Sequence, residues 1–321
     1  MKRAFILLET TAITMLTSAF TFYSGKVGEI ERFESNLTPN KAENILTATE
    51  DEIKILQLTD VQFQNYLNGS LVFNSVKKMV EKTTPDMVVF TGDNMGNDGK
   101  EEHLSAFVRF MDEFELPWAV VMGNHDYTSQ TPMDVQCALY ENSEYCLFQK
   151  GSMIESNGNY YYNVVWENRA PYSLIFMDSQ EDGFTKEHVA WYEQTVQTLQ
   201  AQNSGEPVSS FLFYHIPTVE TEYAWELYQK DSSIGSGTLR ERVDKQTTDV
   251  GFFDKVLELG STKAIFYGHD HINNAFISYR GIELCYGLKT GRNSYYRADM
   301  QGGNLITLFH DGNFNVKRIP L

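Results

Sequence analysis

The sequence predicts an α/β protein with a mixed core of two β-sheets flanked by α-helices. In the first part of the chain, apolar strand-like runs alternate with helix-like segments, which favours βαβ units. Near the C-terminus, strand-like runs follow one another with turn signals and no helix between them, which favours antiparallel strands. The 321 residues are enough for two domains, but no strong linker follows residue 53, so we predict a single domain at residues 51–321.

The predicted elements follow in chain order. Short apolar runs that end in turn residues predict strands at 53–58, 87–90, 118–122, 210–214, 263–267, 275–278, 281–286, 304–309 and 314–319. Helices are predicted at 70–81, 104–114, 186–202 and 252–259. Thr185 is a typical N-cap for the third of these helices. His103 and His188 lie near polar helix starts, so we predict that both are solvated.

Metal-binding residue types follow five of the predicted strands. In chain order they are Asp60 and Gln62, then Asp93, then Asn124, His125 and Asp126, then His215, and finally His269 and His271. Ligands of α/β folds collect at the carboxyl ends of the strands, where the loops converge. Carboxylate, amide and imidazole groups without cysteine suit Zn, Mn, Fe or Co. The pattern therefore predicts a two-metal hydrolytic site, with cations about 3.5 to 4 Å apart.

Each of these residues also has a commoner structural role. An Asp after a strand, such as Asp60 or Asp93, is more often a turn or N-cap residue. An isolated histidine such as His215 is more often a hydrogen-bonded, half-buried side chain, and Asn124 beside Gly123 is good turn chemistry. The joint order of the five motifs favours the metal site over these separate explanations.

The motifs also resemble a known family. Asp60-x-Gln62, Gly92-Asp93, Gly123-Asn124-His125-Asp126, His215 and Gly268-His269-Asp270-His271 are similar, in order and approximate spacing, to the calcineurin-like metallophosphoesterase superfamily. The similarity runs from about residue 53 to about residue 308. Segments 213–217, 268–274 and 284–287 resemble its single-domain, purple-acid-phosphatase-like branch. The resemblance implies a four-layer α/β/β/α sandwich of two mixed sheets.

The resemblance also implies a role for each motif residue. The first metal would be bound by Asp60 and His271, the second by Asn124, His215 and His269, with Asp93 bridging both. His125 would donate a hydrogen bond or proton to the leaving-group oxygen, and Asp126 would hold its ring. A metal-bound hydroxide would attack the phosphorus in line, without a covalent phosphoenzyme.

Gln62 departs from the family pattern, which usually has histidine at this position. Glutamine can bind a metal through its carbonyl oxygen, but more weakly for a soft-leaning ion. Two hypotheses therefore stay open. One is a dinuclear hydrolase of phosphomonoesters or phosphodiesters; the other is a catalytically impaired, metal-binding relative that acts as a binding or regulatory module. A nucleotide-binding α/β protein is less well supported, because neither a P-loop nor a clean Gly-x-Gly-x-x-Gly motif is present.

The net charge and one polar segment limit the kinds of substrate and partner that we expect. The net charge of −17 opposes broad contact with nucleic acid and leaves small phosphate esters as the expected substrates. The segment 223–250 is either a plain surface excursion or a loop that shapes the substrate cleft. In the second case Arg240, Arg242 and Lys245 are candidate substrate contacts.

The N-terminal segment and the cysteines bear on the cellular compartment in which the protein works. Residues 1–24 resemble a secretory signal or membrane anchor, although Glu9 interrupts the apolar stretch. We therefore expect a secreted, periplasmic or membrane-tethered protein, with a cytoplasmic one as the alternative, and a polar linker at residues 25–50. Cys137 and Cys146 are close enough in sequence for a disulfide, whereas Cys285 is expected to be a buried thiol.

Overall fold

The computed structural model describes residues 27–153, 155–167 and 169–321. Fourteen strands lie within these ranges: β1 (Leu37–Asn40), β2 (Ile45–Ala48), β3 (Glu52–Leu58), β4 (Met87–Thr91), β5 (Trp118–Val121), β6 (Tyr160–Trp166), β7 (Arg169–Phe176), β8 (Ser209–Phe213), β9 (Gly235–Ser236), β10 (Thr262–Tyr267), β11 (Phe276–Tyr279), β12 (Ile282–Tyr286), β13 (Gly302–Phe309) and β14 (Phe314–Pro320). The α-helices in the same ranges are α1 (Tyr66–Thr83), α2 (Glu101–Asp112), α3 (Asn124–Thr128), α4 (Met133–Glu141), α5 (Lys186–Gln202), α6 (Glu220–Tyr228) and α7 (Phe252–Leu259).

The strands form two mixed sheets. The larger has nine strands in the order β1-β2-β6-β7-β8-β10-β12-β11-β9, and the smaller has five in the order β14-β13-β3-β4-β5. In the small sheet β3, β4 and β5 are parallel, and β13 runs antiparallel to β3. In the large sheet β7, β8, β10 and β12 are parallel, and β11 is antiparallel to β12. The prediction of two mixed sheets flanked by helices is confirmed.

The central strands are buried on both faces, which explains their continuous apolar runs. On β8, Phe213 belongs to the core between the two sheets, where its ring stacks on Phe266 of β10 with 5.1 Å between centroids. The neighbouring Leu212 belongs to a second core, which α5 and α7 cover. On the small sheet, Phe90 packs against Phe107 of α2 at 5.2 Å. The resulting order is helices, sheet, sheet, helices.

The segment that precedes the predicted domain corrects one expectation. Residues 25–50 were expected to be a polar linker, but β1 and β2 form an antiparallel hairpin there and join the large sheet through β6. Leu37 and Leu46 are its buried anchors. An edge hairpin buries few side chains, so most of its residues stay polar and resemble a linker in sequence. The domain therefore begins before residue 51.

Two histidines are buried rather than solvated, contrary to prediction. His103 is 3% exposed and its Nδ1 accepts a hydrogen bond from the backbone N–H of Lys100. His188 is 1% exposed, and its Nδ1 accepts a bond from the N–H of Thr185. Each ring caps the first turn of its helix, so a polar residue at a helix start here satisfies backbone donors instead of water.

The cysteines lie in the interior. Cys137, Cys146 and Cys285 are buried free thiols, which confirms the prediction for Cys285 and leaves the first two unbridged. The predicted signal or anchor at residues 1–24 lies outside the described residues and stays a prediction. Within the residues that are described, no helix has the length and apolar character needed to cross a membrane.

Candidate metal centre

Hydrogen bonds from backbone N–H groups join the loops that follow β3, β4, β8 and β10; the loops after β8 and β10 meet where the N–H of Gly268 donates to the carbonyl of His215 at 3.2 Å. The N–H of Asp60 donates to the carbonyl of Gly92 at 3.1 Å, and the N–H of Gln62 donates to the carbonyl of Asp93 at 2.9 Å. Across the two sheets, the N–H of His269 donates to Oδ2 of Asp60 at 3.2 Å. These bonds bring the predicted residues of different loops to one end of the sandwich.

Four residues of these loops adopt left-handed backbone conformations that non-glycine residues rarely populate. The φ angles are 53° for Asp60, 47° for Gln62, 51° for Asp93 and 75° for His269. Each such conformation costs on the order of 1 to 3 kcal/mol and persists only where the surroundings impose it. All four are predicted metal ligands, which indicates that contacts elsewhere in the fold offset this conformational cost and direct the four side chains toward the centre.

Two glycines allow the loops to approach each other. Gly92 has a φ of 87°, and a Cβ there would overlap the ring of His215. A Cβ on Gly268 would overlap the hydroxyl of Thr59 and the carboxylate of Asp60. The glycine before each of these motifs is therefore required by close packing around the centre.

We name the two halves of the centre by the roles that the family resemblance implies. The first side is the group Asp60, Gln62 and His271, and the second side is the group Asn124, His215 and His269. Asp93 lies between them. Its Oδ1 is 3.2 Å from Nε2 of His215, and its Oδ2 accepts a bond from Nε2 of Gln62 at 3.2 Å.

On the first side, three side chains can hold a cation. One ligand atom each from Asp60, Asp93 and His271 lies within 4.8 Å of the others, and all three residues are buried. Oδ1 of Asp60 is buried without a well-formed hydrogen bond, and Nε2 of His271 lies 3.3 Å away as its ion-pair partner. The Nδ1 of His271 lies 2.9 Å from the carbonyl of Tyr295, which directs Nε2 toward the two carboxylates.

On the second side, the imidazoles of His215 and His269 meet at 3.3 Å between Nε2 and Nδ1. Nδ1 of His215 lies 2.8 Å from the carbonyl of Thr91, so this backbone contact fixes the ring and leaves Nε2 at the centre. Oδ1 of Asn124 is buried without a hydrogen-bond partner. An orphaned amide oxygen beside two imidazoles and a carboxylate is the donor set that a borderline divalent ion prefers.

The electrostatics of the cluster favour ionised carboxylates. Burial by itself would raise the pKa of Asp93, but the nearby imidazole of His215 outweighs it and lowers this pKa to about 2. The pKa of Asp60 also falls well below its ordinary value, because His271, His215 and Lys289 outweigh its burial. Burial opposes protonation of His215, yet the two carboxylates raise its pKa to about 9. A proton on His215 and the ammonium of Lys289 thus balance the carboxylates where the ligands converge.

His125 stands at the rim of the centre. Its side chain is 33% exposed and its Nε2 is 3.8 Å from Oδ2 of Asp93, while its backbone N–H donates to Oδ1 of the same carboxylate at 2.9 Å. Its Nδ1 lies 2.6 Å from Oδ1 of Asn97. The ring can therefore reach a ligand outside the cluster while Asn97 fixes its orientation.

Asp126 does not make the predicted contact with the His125 ring. Its buried carboxylate accepts hydrogen bonds from the backbone N–H groups of Gly123, Asn94 and Met95. Burial raises its pKa to about 7, with the charge of Asp93 adding to the effect. The helix start that follows β5 turns the Asp126 side chain inward, so Asp126 braces the loops and Asn97 takes the expected orienting position.

A lysine completes the first side, and sequence reasoning missed it. The buried Nζ of Lys289 donates to Oε1 of Gln62 at 2.9 Å and to the carbonyl of Asp60 at 3.0 Å. Burial lowers the pKa of Lys289 to about 8, although Asp60 and Asp93 oppose the shift. The signal was available, since Lys289 follows strand β12 as the other site residues follow theirs.

A cavity of about 450 Å³ opens onto the centre. Its floor includes Asp93, and its walls come from both sides and from the segment 223–250: Asn124, His125, Glu241, Arg242, Asp244, His269, Asp270, His271, Ser294 and Tyr295. Arg242, whose side chain is 84% exposed, and Lys245 both pair with Glu222. The segment therefore forms part of the cleft rim, and among its predicted basic contacts Arg242 lines the cavity.

Comparison with known proteins gives the family. Residues 53–273 match the model of the family described as calcineurin-like phosphoesterase. The chain belongs to this family. Two Arabidopsis thaliana proteins, named probable inactive purple acid phosphatase 29 and 28, are each 26% identical to it, over 77% and 76% of this chain and 74% and 72% of their own length. Purple acid phosphatase 17 of the same plant is 29% identical over 43% of this chain and 40% of its own length.

Solved structures align with this family member at lower identity. A dimetal phosphatase from Danio rerio is 14% identical, with a TM-score of 0.49, over 83% of this chain and 98% of its own. Purple acid phosphatase PPD1 from yellow lupin is 12% identical, with a TM-score of 0.46, over 85% of this chain and 53% of its own.

Proposed function

We propose that this protein is a metal-dependent hydrolase of phosphoric monoesters or diesters. The observation that carries the proposal is the buried, unpartnered Oδ1 of Asn124, in a cavity that Asp93, His269 and His271 also line. A buried polar atom without a partner is costly. A cation bound on the second side would satisfy this oxygen.

The donor set fits Mn, Fe, Zn or Co. On the second side, Asn124, His215 and His269 would hold an ion together with Asp93. On the first side, Asp60 and His271 would share Asp93 with it. Such an ion lowers the pKa of bound water and neutralises phosphoryl oxygens. The remaining work of binding, orienting and proton transfer falls to side chains of this protein.

His125 is the proposed acid. It is the histidine of the cluster that is a third exposed to the cavity while its backbone is tied to Asp93. An imidazole there can donate a proton to the ester oxygen that departs, which is worth roughly 10²- to 10⁴-fold in rate. Asn97 holds the ring in place through its Nδ1.

The cavity favours small esters. A volume of about 450 Å³ lies in the range of small-molecule sites. Glu241 and Asp244 on the rim, together with the net charge of −17, repel long polyanions. Arg242 is positioned to meet a second charged group of the substrate.

A second candidate function is a binding or regulatory module without turnover. The observation that favours it is the bond between Lys289 and Gln62, which engages a predicted metal ligand. The word inactive in the names of two relatives agrees with this alternative.

The test combines metal content with turnover. Protein stripped with a chelator is reloaded with Mn, Zn, Co or Fe and assayed on a nitrophenyl phosphomonoester and a bis-nitrophenyl phosphodiester. We expect turnover with at least one metal, and a loss of roughly 10²-fold or more in His125→Ala at unchanged metal content. His310→Ala, at an exposed histidine, is the matched control and should behave as wild type. Bound metal without turnover of either ester, for all four metals, would favour the binding module.

A further inference from the structure

Lys289 lies where the first side needs positive charge. Its side chain is 1% exposed. The Nζ donates to Oε1 of Gln62 at 2.9 Å and to the carbonyl of Asp60 at 3.0 Å, and lies 3.5 Å from Nε2 of His271. All three contacts go to residues of the first side. A buried ammonium is stable only where acceptors surround it, and here these acceptors belong to the predicted metal ligands.

The lysine also sets the direction of the Gln62 amide. An ammonium group donates and cannot accept, so the amide oxygen of Gln62 faces Lys289. Its amide nitrogen then faces the other way, 3.2 Å from Oδ2 of Asp93 and 3.4 Å from Nε2 of His271. Amide nitrogen has no available lone pair for a metal. The one atom of Gln62 that can bind an ion is thus engaged elsewhere.

The second side has the opposite character. Oδ1 of Asn124 is buried without a partner, and the carboxylate of Asp244 lies 3.4 Å from Nε2 of His269. One unpartnered acceptor and the 83% exposed carboxylate of Asp244 border the second side, whereas a buried ammonium and an N–H₂ group border the first. A divalent ion is attracted to the second side and repelled by the fixed cation of the first.

We propose that Lys289, hydrogen-bonded to Gln62, replaces the first metal ion as the positive charge beside Asp60 and Asp93, so that the centre binds one metal ion tightly, on the second side. The inference rests on the proposed metal binding and narrows it. Asp60, Asp93 and His271 remain close enough to hold an ion, but they lack the fourth protein donor and share their space with a cation. Binding there is expected to be weak.

The experiment measures metal stoichiometry, which is independent of turnover. Protein loaded with Mn²⁺ and dialysed is analysed for metal by mass spectrometry and for magnetic coupling by electron paramagnetic resonance. We expect about one Mn²⁺ per chain in the wild type, with the hyperfine pattern of an isolated ion. The double variant Gln62→His with Lys289→Met should retain about two ions and show an exchange-coupled pair, because two such ions lie within about 4 Å.

One single variant tests Gln62 apart from Lys289, and a second variant serves as the control. Gln62→His alone should stay near one ion, because the ammonium remains, and Lys263→Met, at an exposed lysine of β10, should match the wild type. Two tightly held, coupled ions in the wild type or in Gln62→His would overturn the inference, and the wild-type measurement decides even where Lys289→Met does not fold. A wild type without any bound metal would instead contradict the proposed function, and the inference with it.

Discussion

The two sides of the centre share Asp93 and differ in what faces it. The second side offers His215, His269 and the unpartnered oxygen of Asn124. The first side offers Asp60 and His271, but Lys289 contacts both of them and the amide of Gln62. A family motif shows which metal-binding side chains a sequence contains. The surroundings of each ligand decide whether an ion competes with hydrogen bonds already made.

The difference concerns charge as well as geometry. In the metal-free protein, the positive charge of the second side is a proton on His215, whose pKa is raised to about 9. A proton is exchangeable for a metal ion. The positive charge of the first side is the ammonium of Lys289, which hydrogen-bonds the ligands and is not itself one of the predicted ligands. The two sides therefore differ in which group carries the positive charge: a predicted ligand on the second side, and a neighbour of the ligands on the first.

The largest expected effect is from loss of one ligand on each side. His215→Ala should reduce metal affinity by roughly 10²-fold or more and remove turnover with it, because the ring is fully buried and Thr91 fixes its Nδ1. His271→Ala should cost about tenfold or less in affinity. Calorimetric titration with Zn²⁺ measures both. A greater loss in His271→Ala than in His215→Ala would reverse the assignment of the tighter side.

A smaller effect is expected from residues that position groups beside each half. Asn97→Ala should lower kcat roughly tenfold, since His125 would lose its orienting contact, and the loss should be greater for an alkyl phosphate than for a nitrophenyl phosphate. Its counterpart is Tyr295→Ala, which removes the ring 4.3 Å from that of His271. Tyr295 lines the cavity, so its loss should change KM more than kcat. An equal kcat loss in both variants would show that catalysis is not concentrated near the second side.

Much of the centre was predictable because its signals are local. Asp60, Asp93, His215 and the His269-x-His271 pair each follow a short apolar strand, and parallel strands end at one edge of a sheet. Chain order and residue type were then enough to assemble them. The same reasoning recovered α5 and α7 with the bounds that the structure has.

Lys289 was missed because its position is set by long-range backbone pairing. It forms isolated bridges with Thr59 and with Gln301, which turn its side chain toward the first side. A search for metal-ligating residue types passes over lysine. His188 was misjudged for a related reason, since its burial comes from packing against Phe184 and Ser156 and not from its own helix. The place of Lys289 after β12 was a local signal, but the pairing that turns its side chain inward and the packing that buries His188 leave none.

The smallest expected effect distinguishes the two cations by proton release. Because the pKa of metal-free His215 is about 9, the ring is protonated at pH 7 and must lose about one proton when the second side binds a metal. Apparent metal affinity should therefore rise about tenfold per pH unit from pH 7 toward 9 and level off above it. Titration with Zn²⁺ in buffers of different ionisation enthalpy counts the protons. Release of about one proton at pH 7, falling toward none above pH 9, places the ion on His215, whereas a pH-independent affinity over this window would place it elsewhere.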